Sequence, residues 1–184
     1  MTFPTFKVIV IGDTFTGKTS IIHQFTKHSF PEAHFETPLP ILSQQNVNGN
    51  CNLNIWDTAG AEDWQSMNDS VYHGTDAVIY LCSYDNQESL TNLKEVWIKN
   101  ADKHISTDNV LSFLAVNKSD LPEDYRNITE ENIDQMKGEI KALKYFIVSA
   151  KNNTNINELF SEVATRLVEK APKNNQNPVS LNDQ

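Results

Sequence analysis

A mixed α/β sheet domain is the fold class predicted by three observations in the sequence. Short, mainly apolar runs alternate with amphipathic helical patterns, one hairpin signal follows the first helix, and a glycine-rich loop joins the first run to that helix. The runs at Phe6–Ile11, Ala77–Cys82, Val110–Val116 and Phe146–Val148 have the length of parallel strands covered on both faces. A length of 184 residues suits one domain with a substantial core.

The elements follow in order. After the strand at Phe6–Ile11, residues 18–28 carry a helical pattern. "ILSQQNVNGNCNLNIWD" then alternates through Leu53 and Ile55 around an "NGN" turn at 48–50, which predicts an antiparallel hairpin and so a mixed sheet. Helical patterns over 87–104, 130–143 and 155–169 follow the later strands, and the last places Ile156, Leu159, Phe160, Val163 and Leu167 at helical spacing. Thr129 ahead of Glu130 and Glu131, and Asn155 three residues ahead of Glu158, are predicted N-caps. The final segment, "KAPKNNQNPVSLNDQ", has no periodicity and reads as a flexible tail or linker, giving a domain over residues 1–170 and a tail over 171–184.

Fifteen basic against twenty-four acidic residues give a net charge of −9, which opposes nonspecific attraction to nucleic acid or anionic lipid. Cys51 and Cys82 lie in apolar, strand-like surroundings without zinc or redox spacing, so buried reduced thiols and a cytoplasmic location are expected. No apolar run reaches membrane-spanning length, the N-terminus lacks a signal-peptide core, and Thr2 is incompatible with N-myristoylation.

"GDTFTGKT" at 12–19 matches the phosphate-loop pattern between a strand and a helix. Glycine lets consecutive N–H groups turn inward, and the helix N-terminus adds its positive end. Asp13, Thr14, Phe15, Thr16, Gly17, Lys18, Thr19 and Ser20 are the candidate phosphate-site residues, with Lys18 a cation for the β and γ phosphates and Thr19 a hydroxyl for Mg²⁺. "NKSD" at 117–120 follows a strand, where open α/β sheets build ligand sites. An aspartate there can accept both guanine N1 and N2 hydrogens, which makes Asn117, Lys118 and Asp120 candidates for the base pocket. "SAK" at 149–151 closes the last strand and adds Ser149, Ala150 and Lys151, with a backbone N–H for the guanine carbonyl. Either short motif alone also reads as a solvated loop.

Taken in series with "DTAG", these motifs make the chain resemble the Ras superfamily of small GTPases across residues 6–170, with the Rab branch nearest in "NIWDTAG", "VYHGTDAVIYLCSYDNQESLTNL" and "SAKNNTNINELF". The resemblance implies a small-GTPase G domain, a P-loop NTPase with a six-stranded mixed sheet and five helices, that binds GTP or GDP with Mg²⁺. It also implies that Asp57 holds Mg²⁺ through water and that the Gly60 N–H senses the γ phosphate. Thr37, eighteen residues after Thr19, becomes the switch I threonine that closes on magnesium and the γ phosphate. Phe30, eleven residues after Thr19, matches the aromatic across the guanine face; a core role is its plain alternative.

The sequence also departs from this pattern. Ala61 stands where the family usually has the glutamine that orients the attacking water, so slow hydrolysis with intact nucleotide binding is expected. Glu62 and Gln65 lie out of register to replace it. Activating proteins of the Rab type bring both arginine and glutamine in trans, which would make Ala61 tolerable. Thr14, Phe15 and Thr16 are bulkier than the usual loop residues, and Thr14 stands near the entry of such an arginine. His34 replaces the tyrosine that commonly covers the nucleotide, Asp63 replaces an arginine beside the retained Trp64, and "TPLPIL" at 37–42 changes the effector segment.

The resemblance implies an exchange factor, an activating protein and effectors acting through switch regions 32–42 and 60–75, on a monomer. No cysteine follows Cys82, so a prenyl anchor is not expected in this chain; membrane association would need partners or a further C-terminal portion. The expected function is a slowly hydrolysing Rab-like switch, set against a non-hydrolysing GTP-bound interaction module and against a P-loop kinase or ATPase, which Asn117, Lys118 and Asp120 disfavour.

Overall fold

Strand β1, Thr5–Ile11, is the centre of the fold. Val8 and Val10, and the alternating Ile9 and Ile11, are all fully buried, because successive side chains point to opposite faces and both faces are covered. The computed structural model describes residues 3–31, 37, 39–58, 69–105 and 109–171. Beyond β1 the elements are α1 Lys18–Lys27, β2 Ile41–Val47, β3 Cys51–Asp57, α2 Asp69–Tyr72, β4 Ala77–Ser83, α3 Gln87–Asn92, a π-helical turn Leu93–Ile98, α4 Lys99–His104, β5 Leu111–Asn117, a 3₁₀ turn Glu123–Tyr125, α5 Glu130–Glu139, β6 Lys144–Ile147 and α6 Ile156–Lys170.

The six strands form one sheet in the order β2-β3-β1-β4-β5-β6. Only the β2–β3 pair is antiparallel, as the hairpin signal predicts. Asn48 and Gly49 both take positive φ in its turn, with the Asn50 N–H returning to the Val47 carbonyl at 3.0 Å. Because α3, the π turn and α4 run on without a break, five helical bodies flank the sheet among the described residues, matching the expected count.

Two cores lie on the two faces. Val8, Val10, Leu53, Ile55 and Phe113 meet α1 and α6, where Phe25 and Phe160 stack with ring centroids 4.2 Å apart. Ile9, Ile11, Val78 and Tyr80 meet Leu93, Trp97 and Ile133 on the other face. The two cysteines are buried and unpaired, as expected. No helix among the described residues is long and apolar enough to cross a membrane.

Three boundaries carry information. Thr129 caps α5 with a full capping box: its hydroxyl accepts from the Asn132 N–H and its own N–H donates to the Asn132 side chain, both at 3.2 Å. The helix expected to run to residue 143 instead ends at Glu139. Lys141 turns left-handed at φ 51, the Lys141 N–H reaches the Gly138 carbonyl and the Ala142 N–H reaches Lys137, a Schellman ending that a lysine in place of glycine conceals in the sequence. Asn155 precedes α6 as expected but makes no side-chain cap. Its backbone is left-handed and its amide donates to the Ile147 carbonyl at 2.8 Å, tying the helix start to β6 instead.

Candidate functional site

The loop from Gly12 to Lys18 joins the carboxyl end of β1 to α1, where two glycines are sterically obligatory. A Cβ on Gly12 would lie 2.0 Å from the Leu81 carbonyl oxygen, and one on Gly17 would lie 2.3 Å from Asn117 Nδ2; both residues also have positive φ. Gly12→Ala is therefore expected to cost more than about 3 kcal/mol, through left-handed strain and a backbone clash together, read as a lower urea midpoint. Phe15 takes φ 63 without being glycine and exposes its ring at the loop tip.

Helix α1 begins at Gly17 without a side-chain cap, so no side chain of the cap residue takes up its first N–H groups. Lys18 lies in this first turn, 5 % exposed, donating to the Gly12 carbonyl at 2.8 Å and the Asp13 carbonyl at 2.9 Å. Burial lowers its pKa to about 8, against the opposing charges of Asp57 and Asp13. A buried ammonium beside uncapped helix N–H groups is an arrangement that an anion would stabilise.

Thr19 and Thr37, eighteen positions apart, share a hydrogen bond between their hydroxyls at 2.8 Å. Beside them Asp57 is 3 % exposed, and its Oδ1 has no hydrogen-bond partner among the described residues. Burial raises the Asp57 pKa, while hydrogen bonds from Thr19 and Thr37 and the charge of Lys18 pull it back. Among the described residues no group of three His, Cys, Asp or Glu could enclose a metal by itself. One carboxylate with an orphaned oxygen and two hydroxyls nevertheless fit Mg²⁺, which takes few protein oxygens and completes its shell with phosphate and water.

Two loops at the carboxyl ends of β5 and β6 are joined through Asn117, which is 3 % exposed. Its Nδ2 donates to the Thr16 carbonyl at 2.9 Å and its Oδ1 accepts from the Ala150 N–H at 3.1 Å, so one side chain binds the phosphate loop to both base-pocket motifs. Ser149 donates its hydroxyl to Asp120 Oδ1 at 2.6 Å and accepts from the Asn152 N–H, which fixes the aspartate in one orientation. Lys118, left-handed at φ 65, forms an ion pair with Asp85 at 2.8 Å. Hydrogen bonds from Lys118 and Ser83 hold the Asp85 pKa below its usual value despite the opposing effect of desolvation.

The structure thus brings together Gly12 to Ser20, Thr37, Asp57, Asn117 to Asp120 and Ser149 to Lys151. Phe30 is half-buried against the core on the α1 side of the sheet, the plain alternative its sequence position left open. Asp13 differs from expectation in one respect. Its carboxylate turns away from the phosphate loop to the indole N–H of Trp97 and the amide of Asn92, and only its backbone carbonyl, bonded to Lys18 and to the Thr16 hydroxyl, belongs to the site. Gly60 and Ala61, together with His34, Pro38 and residues 62–65, lie outside the described residues. Sequence reasoning missed Asp85, Asn92 and Trp97. Asp85 had a signal in its place just past the carboxyl end of β4; the other two act through helix winding that no motif announces.

Comparison with known proteins agrees with this geometry. The Ras family profile matches residues 7–169. A Ras-related protein Rab-1 of Theileria parva is 32% identical over 96% of this chain and 82% of its own length. A Rab5 of Nicotiana tabacum is 34% identical over 95% of this chain and 86% of that protein, and the human Rab-30 is 31% identical over 92% and 83%. With this match over residues 7–169 and these relatives, on a sheet that carries the phosphate-loop motif at the end of its central strand, the chain belongs to the Ras superfamily of small GTPases and is Rab-like within it.

Proposed function

We propose that this chain is a guanine-nucleotide switch that binds GTP and GDP with Mg²⁺ and hydrolyses GTP slowly. The observation that carries the reading is the meeting of Thr37 with Thr19 beside Asp57, whose carboxylate keeps one oxygen without a partner among the described residues. In this reading Thr19, Thr37 and Asp57 hold the cation, which when bound neutralises charge on the β and γ phosphate oxygens. Lys18 binds those phosphates from the other side. Thr37 and Gly60 order the two switch segments around the γ phosphate, and those segments relax when it leaves.

Base recognition falls to Asp120, held by Ser149, with the Ser149–Lys151 loop offering a backbone N–H to the guanine carbonyl and Phe30 and Lys118 flanking the ring. Ala61 leaves the water without the amide that aims it, so the GTP-bound state is long-lived. Partners bind through segments 32–42 and 60–75. Exposed Leu39, Ile41 and Leu42, leading into the edge strand β2, support an apolar contact there. The Rab names of its relatives support a role in vesicle trafficking, and two buried reduced thiols support action from the cytosol.

Displacement of a fluorescent GDP tests the assignment. Unlabelled GTP and GDP should compete at equal concentrations, while ATP should be weaker by about 10³ or more, because a site built for the guanine hydrogens leaves its carboxylate unpaired against adenine. ATP as potent as GTP would end the guanine reading.

A further inference from the structure

The phosphate loop is held from behind as well as from within. Asp13 is the only acidic residue of that loop, and both its carboxylate oxygens are engaged by one helical body: Oδ1 accepts the Trp97 indole N–H at 2.7 Å and Oδ2 accepts the Asn92 amide at 2.7 Å. Residues five apart lie about 140° apart round an α-helix and could not both face one carboxylate. Asn92 closes α3 and Trp97 lies in the π turn that follows, whose i→i+5 winding turns the two toward the same side. Trp97 is itself 1 % exposed, packed in the core on that face of the sheet, so its N–H is a rigid donor.

The other end of Asp13 reaches the site. Its carbonyl accepts from Lys18 Nζ at 2.9 Å and from the Thr16 hydroxyl at 2.7 Å. A change in the carboxylate's partners therefore reorients the peptide that places the phosphate-binding ammonium. We infer that Trp97 and Asn92 are positioning residues for nucleotide binding: through Asp13 the π turn latches the phosphate loop in its binding conformation, so that α3 sets the rate at which nucleotide leaves. Neither side chain need touch the nucleotide. The inference rests on the guanine-nucleotide reading above.

The test is a double-mutant cycle on the release of fluorescent GDP in Mg²⁺ from the full chain. Trp97→Phe keeps an aromatic ring in the core but removes the N–H, and should accelerate release about tenfold, the order carried by a hydrogen bond to a charged group. In an Asp13→Ala background the same substitution should add nothing, since the carboxylate it served is gone. Equal acceleration in both backgrounds, or unchanged release with only a lower melting temperature, would show that Trp97 merely packs, and would overturn the inference. Asn92→Ala, at a partly exposed site that spares the core, runs through the same cycle and decides the matter if Trp97→Phe does not fold. A wild-type chain that retains no GDP at all would sink the nucleotide reading and the latch together, whereas retention with no response to either substitution sinks the latch alone.

Discussion

Single-turnover hydrolysis of GTP is expected to rise about 10- to 100-fold when Ala61 is replaced by glutamine, a fall of about 1.4 to 2.7 kcal/mol in the barrier. Phosphoryl transfer leaves the protein little to do beyond positioning and charge stabilisation. In the proposed reading Lys18 and a cation held by Thr19, Thr37 and Asp57 supply the charge, and the bonded Thr19 and Thr37 hydroxyls already meet beside Asp57. A methyl group at position 61 cannot aim a water molecule, while it removes no contact to the bound nucleotide, so affinity should hardly change between the two proteins. The measurement follows GTP and GDP by chromatography after mixing with Mg²⁺. A wild type that barely turns over, with a fast glutamine variant, assigns the slow rate to Ala61. If both proteins load GTP and neither hydrolyses it, the bulky Thr14, Phe15 and Thr16 dominate and the chain is a GTP-bound interaction module.

Asp120→Asn should lower guanine-nucleotide affinity about 10²-fold or more and move preference toward xanthine nucleotides. Both effects come from one change in hydrogen-bonding sense. A carboxylate accepts two hydrogens from guanine N1 and N2, and bonds to a charged acceptor are worth roughly 1.5 to 3 kcal/mol each. An amide presents one acceptor and one donor, which mismatches guanine and suits the carbonyl that xanthine carries instead of the N2 amine. Ser149 sharpens the expectation, since its hydroxyl at 2.6 Å holds Asp120 Oδ1 and would hold an asparagine oxygen in the same place. Titration calorimetry with GDP and XDP reads the outcome. An Asp120→Asn chain that still prefers GDP by the wild-type margin would remove Asp120 from the base pocket.

Local chemistry made much of this molecule readable in advance. Apolar runs marked the strands because a sheet covered on both faces admits little else, and "NGN" marked the hairpin because its turn needs positive φ. The phosphate loop declared itself because glycine alone fits where a Cβ would strike Leu81 or Asn117. Thr129 capped its helix as its neighbours implied. What remained hidden depended on contacts between distant segments. That Asn117 ties Thr16 to Ala150, or that Asp85 takes Lys118, depends on which loops the parallel sheet brings to one edge. Asp13 sits inside a motif that names it a phosphate-loop residue, yet its carboxylate serves a tryptophan 84 positions away. Motifs record the groups that a ligand requires in sequence order. Only the packed sheet and the π turn decide which way a side chain of ordinary type faces, because that choice is made by partners far along the chain.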